Sequence, residues 1–305
     1  MILRGRTISA RVHTSALWHL WADDIRPDSE KEVPMNIVEQ TQNGVTFFQA
    51  DGIAAAAGAA HGFSTRLGGV SRGMWESLNL GASRGDDPDH VRENYRRFFS
   101  AIGAKGEKMA MTNQVHGGVV RCVTTADLHT DPYDKVNYEA DGLMTALPGV
   151  TLVIYSADCI PVLFYDPVRR VIAAVHAGWR GTAAGIATAA VERMKDVYGC
   201  RPADILAAVG PGIGPDCFET HEDVPNAMTT ALSTAVLKHI KIKENGKFAV
   251  DLKRINAMRL EQAGLDPDHI AVSTLCTSCN PDKFWSHRKL GTSRGSMAAA
   301  IQLLV

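Results

Sequence analysis

Short β-branched runs alternate along this chain with longer amphipathic stretches. Val45 to Gln49 switches between apolar and polar positions with a period of two, which predicts a strand with one buried face. Val119 to Val123, Thr151 to Tyr155, Val162 to Tyr165, Val171 to Val175, Ile205 to Val209 and Ile270 to Ser273 predict further strands, and Met297 to Val305 predicts a closing one. Ala54 to Ala60 reads as a small-residue connector that ends in Gly62. Elsewhere the period becomes that of a helix. Asp87-Pro88, followed by Val91, Tyr95, Phe98, Phe99 and Ile102 and then Gly103, predicts an N-capped helix with a glycine stop. Ile186, Ala190, Met194 and Val197 stripe the segment from Ala183 to Tyr198, and further helices are predicted over Val224 to Ile240 and Leu252 to Ala263. This order of elements defines the class as α/β or α+β. Several strands are joined too tightly for parallel crossovers, so the sheets are expected to be mixed and to contain hairpins.

The Asp166-Pro167 turn predicts that the runs on either side of it form an antiparallel hairpin. Closing it with residue 166 opposite 170 or 171 places Cys159 opposite residue 177 or 178, next to His176. Adjacent strands lie about 4.8 Å apart, so a sulfur and an imidazole at this corner can share one point. His116, in Asn113-Gln-Val-His-Gly117, can approach from a third direction. One Cys and two His suit Zn²⁺ with a fourth position left open. The same residues suit a Cys159 thiolate activated by His176, with Asp158 or another carboxylate orienting the ring. A buried Cys and two hydrogen-bonded His are the plainer alternative.

Composition narrows the partners. A chain of 305 residues that is 45% hydrophobic and 21% charged is an ordinary globular protein, and no repeat or low-complexity linker divides it. With 32 basic against 33 acidic residues it has no bulk field to hold nucleic acid or an anionic membrane. Apolar stretches such as Val171 to Val175 fall far short of the roughly 20 residues of a spanning helix. The six cysteines show no disulfide rhythm, which points to a reducing cytoplasm. Arg4, Arg6 and Arg11, with no acid before Asp23, superficially resemble a transit peptide. Residues 1–44 are read instead as a poorly ordered extension, with Met35 as a possible true start, and residues 45–305 as the folded domain.

Other motifs carry less. Gly178-Trp-Arg-Gly-Thr182 leads into a helix and could seat an anion, with Arg180 as donor, while Gly210-Pro-Gly-Ile-Gly-Pro215 reads as a tight connector. Cys276 and Cys279 have no second pair, and His287 lies eight residues beyond, so a core turn is favoured over a structural zinc site. His221, His239 and His269 read as solvent-facing, and Trp179 as a buried turn aromatic that could alternatively stack a base. There is no P-loop, G-x-S-x-G, H-E-x-x-H or zinc nucleobase-deaminase signature.

From His61 onward the chain resembles the YfiH/YlmD family, also called laccase-domain, multicopper polyphenol oxidase or peptidoglycan editing factor proteins. The resemblance is carried by His61-Gly-Phe-Ser-Thr-Arg-Leu-Gly-Gly-Val-Ser71, Leu78-Asn-Leu-Gly81, Asn113-Gln-Val-His-Gly117, Ala140-Asp-Gly-Leu-Met-Thr145 and Ser156-Ala-Asp-Cys-Ile-Pro-Val-Leu163. It continues through Ala174-Val-His-Ala-Gly-Trp-Arg-Gly-Thr182, Gly210-Pro-Gly-Ile-Gly214 and Cys276-Thr277 with Phe284, Ser286 and Arg288. It implies a single domain of layered mixed sheets with flanking helices, and a zinc site made by His116, Cys159 and His176, copper being the less favoured metal. It further implies phosphorolysis of adenosine, inosine, guanosine or methylthioadenosine, with adenosine deamination beside it, so that the partners are a purine nucleoside and phosphate. Arg66, Gln114 and Arg180 are the expected substrate contacts, and Asp141 an expected support for the ligands. A Cys-His hydrolase that edits peptidoglycan precursors and a copper polyphenol oxidase are the rival readings. The family usually carries Gly-Arg before its last strand where this chain has Arg294-Gly-Ser-Met297, which puts the role of Arg294 in question.

Overall fold

In the computed structural model, which describes residues 34–305, two six-stranded sheets lie face to face and helices cover their outer sides. One sheet runs Ile37–Gln42, Val45–Ala50, Ala59–Ser64, Met297–Leu303, Val150–Ser156 and Lys108–Ala110 from edge to edge. The other runs Ile270–Val272, Leu206–Val209, Ile160–Asp166, Val171–Ala177, Gly142–Thr145 and Val120–Cys122. A small third sheet joins Glu219–Thr220, Phe248–Val250 and Ile240–Ile242. Among the described strands the parallel pairs lie at sheet margins, at Lys108–Ala110, Val120–Cys122 and Ile270–Val272, so both large sheets are mixed.

This layering explains why the central strands read as continuous apolar runs. Ile160–Asp166 and Val171–Ala177 are buried at all seven positions. Leu163, Tyr165, Ile172 and Ala174 face the opposite sheet and meet Phe48, Phe63, Leu152 and Ile154 there. Val162, Phe164, Ala173 and Val175 face outward onto helices Ile186–Tyr198 and Leu252–Gln262. On the far side of the first sheet, helix Pro88–Ile102 buries Val91, Tyr95, Phe98 and Phe99 against Phe47, Val153 and Ala300. Asp87 caps that helix by accepting from the Asp89 amide, and Gly103 ends it at φ 79°. The middle of the sandwich therefore cannot shift without opening a close-packed core, which makes its strand ends rigid supports.

The Asp166 hairpin pairs Asp166 with Val171 and Ile160 with Ala177, the longer of the two registers expected. Other expectations need correction. The folded region begins before Val45: Ile37–Gln42 pairs with Val45–Ala50 through Asn43-Gly44, whose two positive φ angles define a tight hairpin turn. Residues 1–33 lie outside the described residues, and so does the transit-peptide reading. The connector over Ala54 to Ala60 is a short helix, Asp51–Ala55, followed by strand Ala59–Ser64. The helix expected to Ile240 stops at Leu232, because Ser233 takes φ 70° and breaks the hydrogen-bond ladder. The segment from Ala183 starts its long helix only at Ile186, after Gly185 at φ 74°, and Val197 points to solvent. Among the described residues, no helix is long and apolar enough to cross a membrane.

Candidate metal centre

One strand and two loop segments at one end of the sandwich bring His116, Cys159 and His176 together, with their donor atoms all within 4.8 Å of one another. His176 comes from the Val171–Ala177 strand, and Cys159 from the turn just before Ile160–Asp166, where the hairpin register sets it beside the His176 strand. His116 arrives on the loop from Met111 to Val119 with its ring 4.9 Å from that of His176 and nearly perpendicular to it. Two backbones at the centre are held in the left-handed region, His116 at φ 60° and Asp158 at φ 91°. Such residues persist only where the surroundings over-determine them, and they cluster at functional sites.

The surroundings here are two buried carboxylates. Asp141 is fully buried and accepts from the amides of Val115, His116 and Gly117 at 3.1, 3.0 and 2.8 Å, and from His176 Nδ1 at 2.8 Å. One carboxylate thus fixes the loop that carries the first imidazole and the tautomer of the second, leaving His176 Nε2 to face the cluster. Asp158 does something different from the imidazole-orienting role open to it in the sequence. It accepts from Thr277 Oγ1 and from the Arg288 amide, both at 2.6 Å, and so anchors the Cys159 turn to the C-terminal segment. Ser156 Oγ donates to the Cys159 carbonyl at 2.6 Å and tightens the same turn.

Charge follows geometry. Burial would raise the Cys159 thiol, but hydrogen bonds from His116 and His176 outweigh it and bring the thiol down to about 6. Burial would lower His176, but Asp141 and Cys159 outweigh it and lift the ring to about 9. Burial also opposes ionisation of Asp141, yet His176 and the Gly117 and Val115 amides hold its carboxyl below the usual range. Without a metal the centre is therefore a thiolate beside an imidazolium. The donor set fits a metal: one soft sulfur and two imidazoles converge, and a Cβ built on Gly178 would sit 3.1 Å from both Cys159 Sγ and His116 Cδ2. That glycine keeps the space beside the donors clear.

The centre opens onto a cavity of about 370 Å³, inside the range of small-molecule sites. Gln114 lines it, but both ends of its amide are engaged with the Tyr155 backbone at 2.9 and 2.7 Å, which ties the His116 loop to the neighbouring strand. Arg66 is not among the lining residues. Its guanidinium donates to the Glu76 and Pro281 carbonyls and stacks 3.7 Å over Trp285. Arg180 is exposed and stacks 4.2 Å over Trp179, which opens the short helix Trp179–Ala183 and packs, partly buried, against the core rather than lying buried in a turn. In their place the cavity presents Arg84, which the sequence did not single out, and Arg294, whose role the sequence left in question. Arg294 is 8% exposed, its Nη1 donates to the Gly295 carbonyl at 2.8 Å, and its buried Nε has no partner. Burial and the neighbouring Arg84 push its guanidinium down to about 10. Arg84 Nε donates to Ser296 Oγ at 3.1 Å. The only sequence signal for Arg84 was its place just after the Leu78-Asn-Leu-Gly81 motif.

Residues 60–304 match the family model described as multi-copper polyphenol oxidoreductase laccase. The fold and the three-donor centre thus define a laccase-domain protein of the YfiH/YlmD type, and the chain belongs to that family. It is 37% identical over 247 residues to purine nucleoside phosphorylase YlmD of Geobacillus stearothermophilus, covering 80% of this chain and 90% of the relative. It is 40% identical over 243 residues to a purine nucleoside phosphorylase of Deinococcus radiodurans, covering 80% and 88%. The crystal structure of YlmD from Geobacillus stearothermophilus superimposes with a TM-score of 0.81 at 34% identity, over 88% of this chain and all of that one.

Two outcomes follow from this geometry. Gly178→Ala keeps its permitted φ of −62° but crowds two donors, so Zn²⁺ affinity in a competition titration falls by about tenfold or more while the thermal midpoint stays near that of the parent. The protonation pattern gives the second. Metal uptake near neutral pH must displace the proton on His176 but not one on Cys159, so affinity rises by about tenfold per pH unit up to about 9. The dependence steepens below about 6, where Cys159 binds a proton too. Titrations of the apoprotein across this range check both the slope and its break.

Proposed function

We propose that this protein is a zinc-dependent purine nucleoside phosphorylase that also deaminates adenosine. The observation that carries the reading is one cavity shared by the His116, Cys159, His176 centre and by two guanidiniums, one with a buried Nε that no protein group satisfies. A desolvated cation without a carboxylate partner is costly unless the ligand supplies the anion. Phosphate does so, and Arg84 and Arg294 present fork-shaped donors to it. The names of the relatives point the same way.

In this reading phosphate held by the two arginines attacks C1′ of the bound nucleoside, the C1′–N9 bond breaks, and free base and ribose 1-phosphate result. Zn²⁺, when bound, supplies a Lewis acid that stabilises charge developing on the purine and can lower the pKa of water for attack at C6. The chain does the positioning. Asp141 holds His176 in one tautomer, Gln114 and Asp141 together set the His116 loop, and Asp158 fixes Cys159. Arg66 and Arg180 take supporting parts outside the cavity. The enzyme works in the cytoplasm on small molecules, and its thiols remain reduced there.

A second reading has a specific observation behind it: Asp141, His176 and Cys159 line up as orienting carboxylate, base and thiolate, the order a cysteine hydrolase uses. Metal analysis separates the two. Under the first reading, Cys159→Ala loses bound zinc and phosphate-dependent release of hypoxanthine from inosine together. A chelated, metal-free parent that stays fully active and forms a covalent adduct on Cys159 establishes the hydrolase instead. The arginines give a further test. Arg294→Gln raises KM for phosphate by about tenfold or more, the worth of one charge-assisted hydrogen bond, with zinc content unchanged. Arg66→Gln alters stability but leaves KM for phosphate within about twofold.

A further inference from the structure

Two loops far apart in sequence gather a second set of sulfurs. The segment from Gly210 to Cys217 runs alongside the one from Leu275 to Asn280, joined by a parallel bridge between Gly212 and Cys276 and by the Thr277 amide donating to the Gly212 carbonyl at 3.2 Å. Asn280 folds the second segment back on itself, its amide and Nδ2 both donating to the Cys276 carbonyl at 3.2 and 2.8 Å. Cys276 and Cys279 are thereby turned to the same side, and Cys217 meets them from the other loop. Cys217 Sγ lies 3.3 Å from Cys279 Sγ, and all three sulfurs are within 4.8 Å of one another. Sulfurs bound tetrahedrally to one zinc are about 3.8 Å apart, given a Zn–S bond of about 2.3 Å, so the observed spacing is within about 1 Å of what the ion needs.

The surroundings suit anionic sulfur. The Gly214 amide donates to Cys276 Sγ at 3.1 Å. Lys253, 4% exposed, donates to the Leu275 carbonyl at 2.6 Å, and Arg288 Nη1 donates to the Cys217 carbonyl at 2.6 Å. Packing does not account for the cluster, because Cys279 is exposed and Cys217 only partly covered.

We infer that Cys217, Cys276 and Cys279 form a second metal site, a three-thiolate seat for a thiophilic d¹⁰ cation, Zn²⁺ or Cu⁺, with a solvent-facing fourth position. The expectation that Cys276 and Cys279 form a mere turn rested on their lacking a second pair; the third ligand comes from a loop 59 residues upstream of Cys276. The ion has a structural task. Ile213 and Thr277, one from each bridged loop, hold the carbonyl and carboxylate of Asp158 at 2.8 and 2.6 Å, and Asp158 carries Cys159. Cross-linking the loops through three sulfurs stiffens that strained turn without entering the cavity.

The full chain, reduced and handled without oxygen, is titrated with Zn²⁺ and separately with Cu⁺, and bound metal is counted. The parent takes up a second equivalent beyond that of the cavity centre, and Cys159→Ala retains it. Cys217→Ser/Cys279→Ser loses it while keeping the cavity equivalent. Substituting Co²⁺ into Cys159→Ala gives thiolate-to-metal charge-transfer absorption. Should the double variant fail to fold, the parent alone decides: bound Zn²⁺ slows alkylation of Cys217 and Cys279, read by mass spectrometry. Alkylation rates indifferent to both metals, no charge-transfer band, or a Cys217–Cys279 disulfide persisting in reducing glutathione buffer overturns the site.

Discussion

The centre depends on one buried carboxylate. Asp141 accepts four hydrogen bonds, three from the backbone of the His116 loop and one from the His176 ring. Each alone is modest, but together they tie a loop that has no regular structure to a strand at the middle of a sheet. A carboxylate with no access to water is tolerable only because every one of these donors is present. The arrangement also resolves a conflict: His116 occupies a left-handed conformation that a non-glycine residue avoids, and the consecutive amides of residues 115 to 117 close on Asp141 only in some such curve. Strain at one ligand is thus offset by satisfaction of a buried charge.

Rigidity behind the centre comes from the sandwich. Cys159 and His176 sit at the ends of two strands whose side chains are buried on both faces, one against the opposite sheet and the other against helices. Donors at the ends of such strands are held to a tolerance that loops alone do not provide. His116 is the exception. It is exposed and belongs to a loop, so the Asp141 and Gln114 contacts do for it what the double layer does for the other two.

What the sequence disclosed, and what it hid, follows from the range of the forces involved. The Asp166-Pro167 turn fixes its own hairpin locally, so the approach of Cys159 to His176 was legible as arithmetic. The helix over Pro88–Ile102 was legible because cap, stripe and stop all agree. The break at Ser233 went unread although a local device marks it: the Ser233 hydroxyl accepts from the Ala235 amide and caps a new 3₁₀ helix over Thr234–His239. Asn43-Gly44 was legible and went unread because the strand before it is an exposed edge with weak alternation. Arg66 resembled a ligand contact by motif, yet Trp285 and two carbonyls claim its guanidinium. Arg84 and Cys217 were illegible, and the role of Arg294 stayed open, for one shared reason: each acquires its meaning from a partner segment far away in the chain.

Donor identity alone does not choose a chemistry. A cysteine and two histidines serve zinc catalysis with an open fourth position, and they also serve blue-copper electron transfer. What lies beyond the open position decides. An electron-transfer centre needs no chamber for a second reactant, and its redox potential is tuned by the apolar shell around the sulfur. Here the thiolate borders a cavity of about 370 Å³ whose wall also carries Arg84 and a buried, incompletely bonded Arg294. Burial first, and repulsion from the neighbouring Arg84 second, lower the Arg294 guanidinium. A bound anion relieves that arrangement. The polyphenol-oxidase name of the family and the phosphorylase names of its members therefore make different demands on this wall.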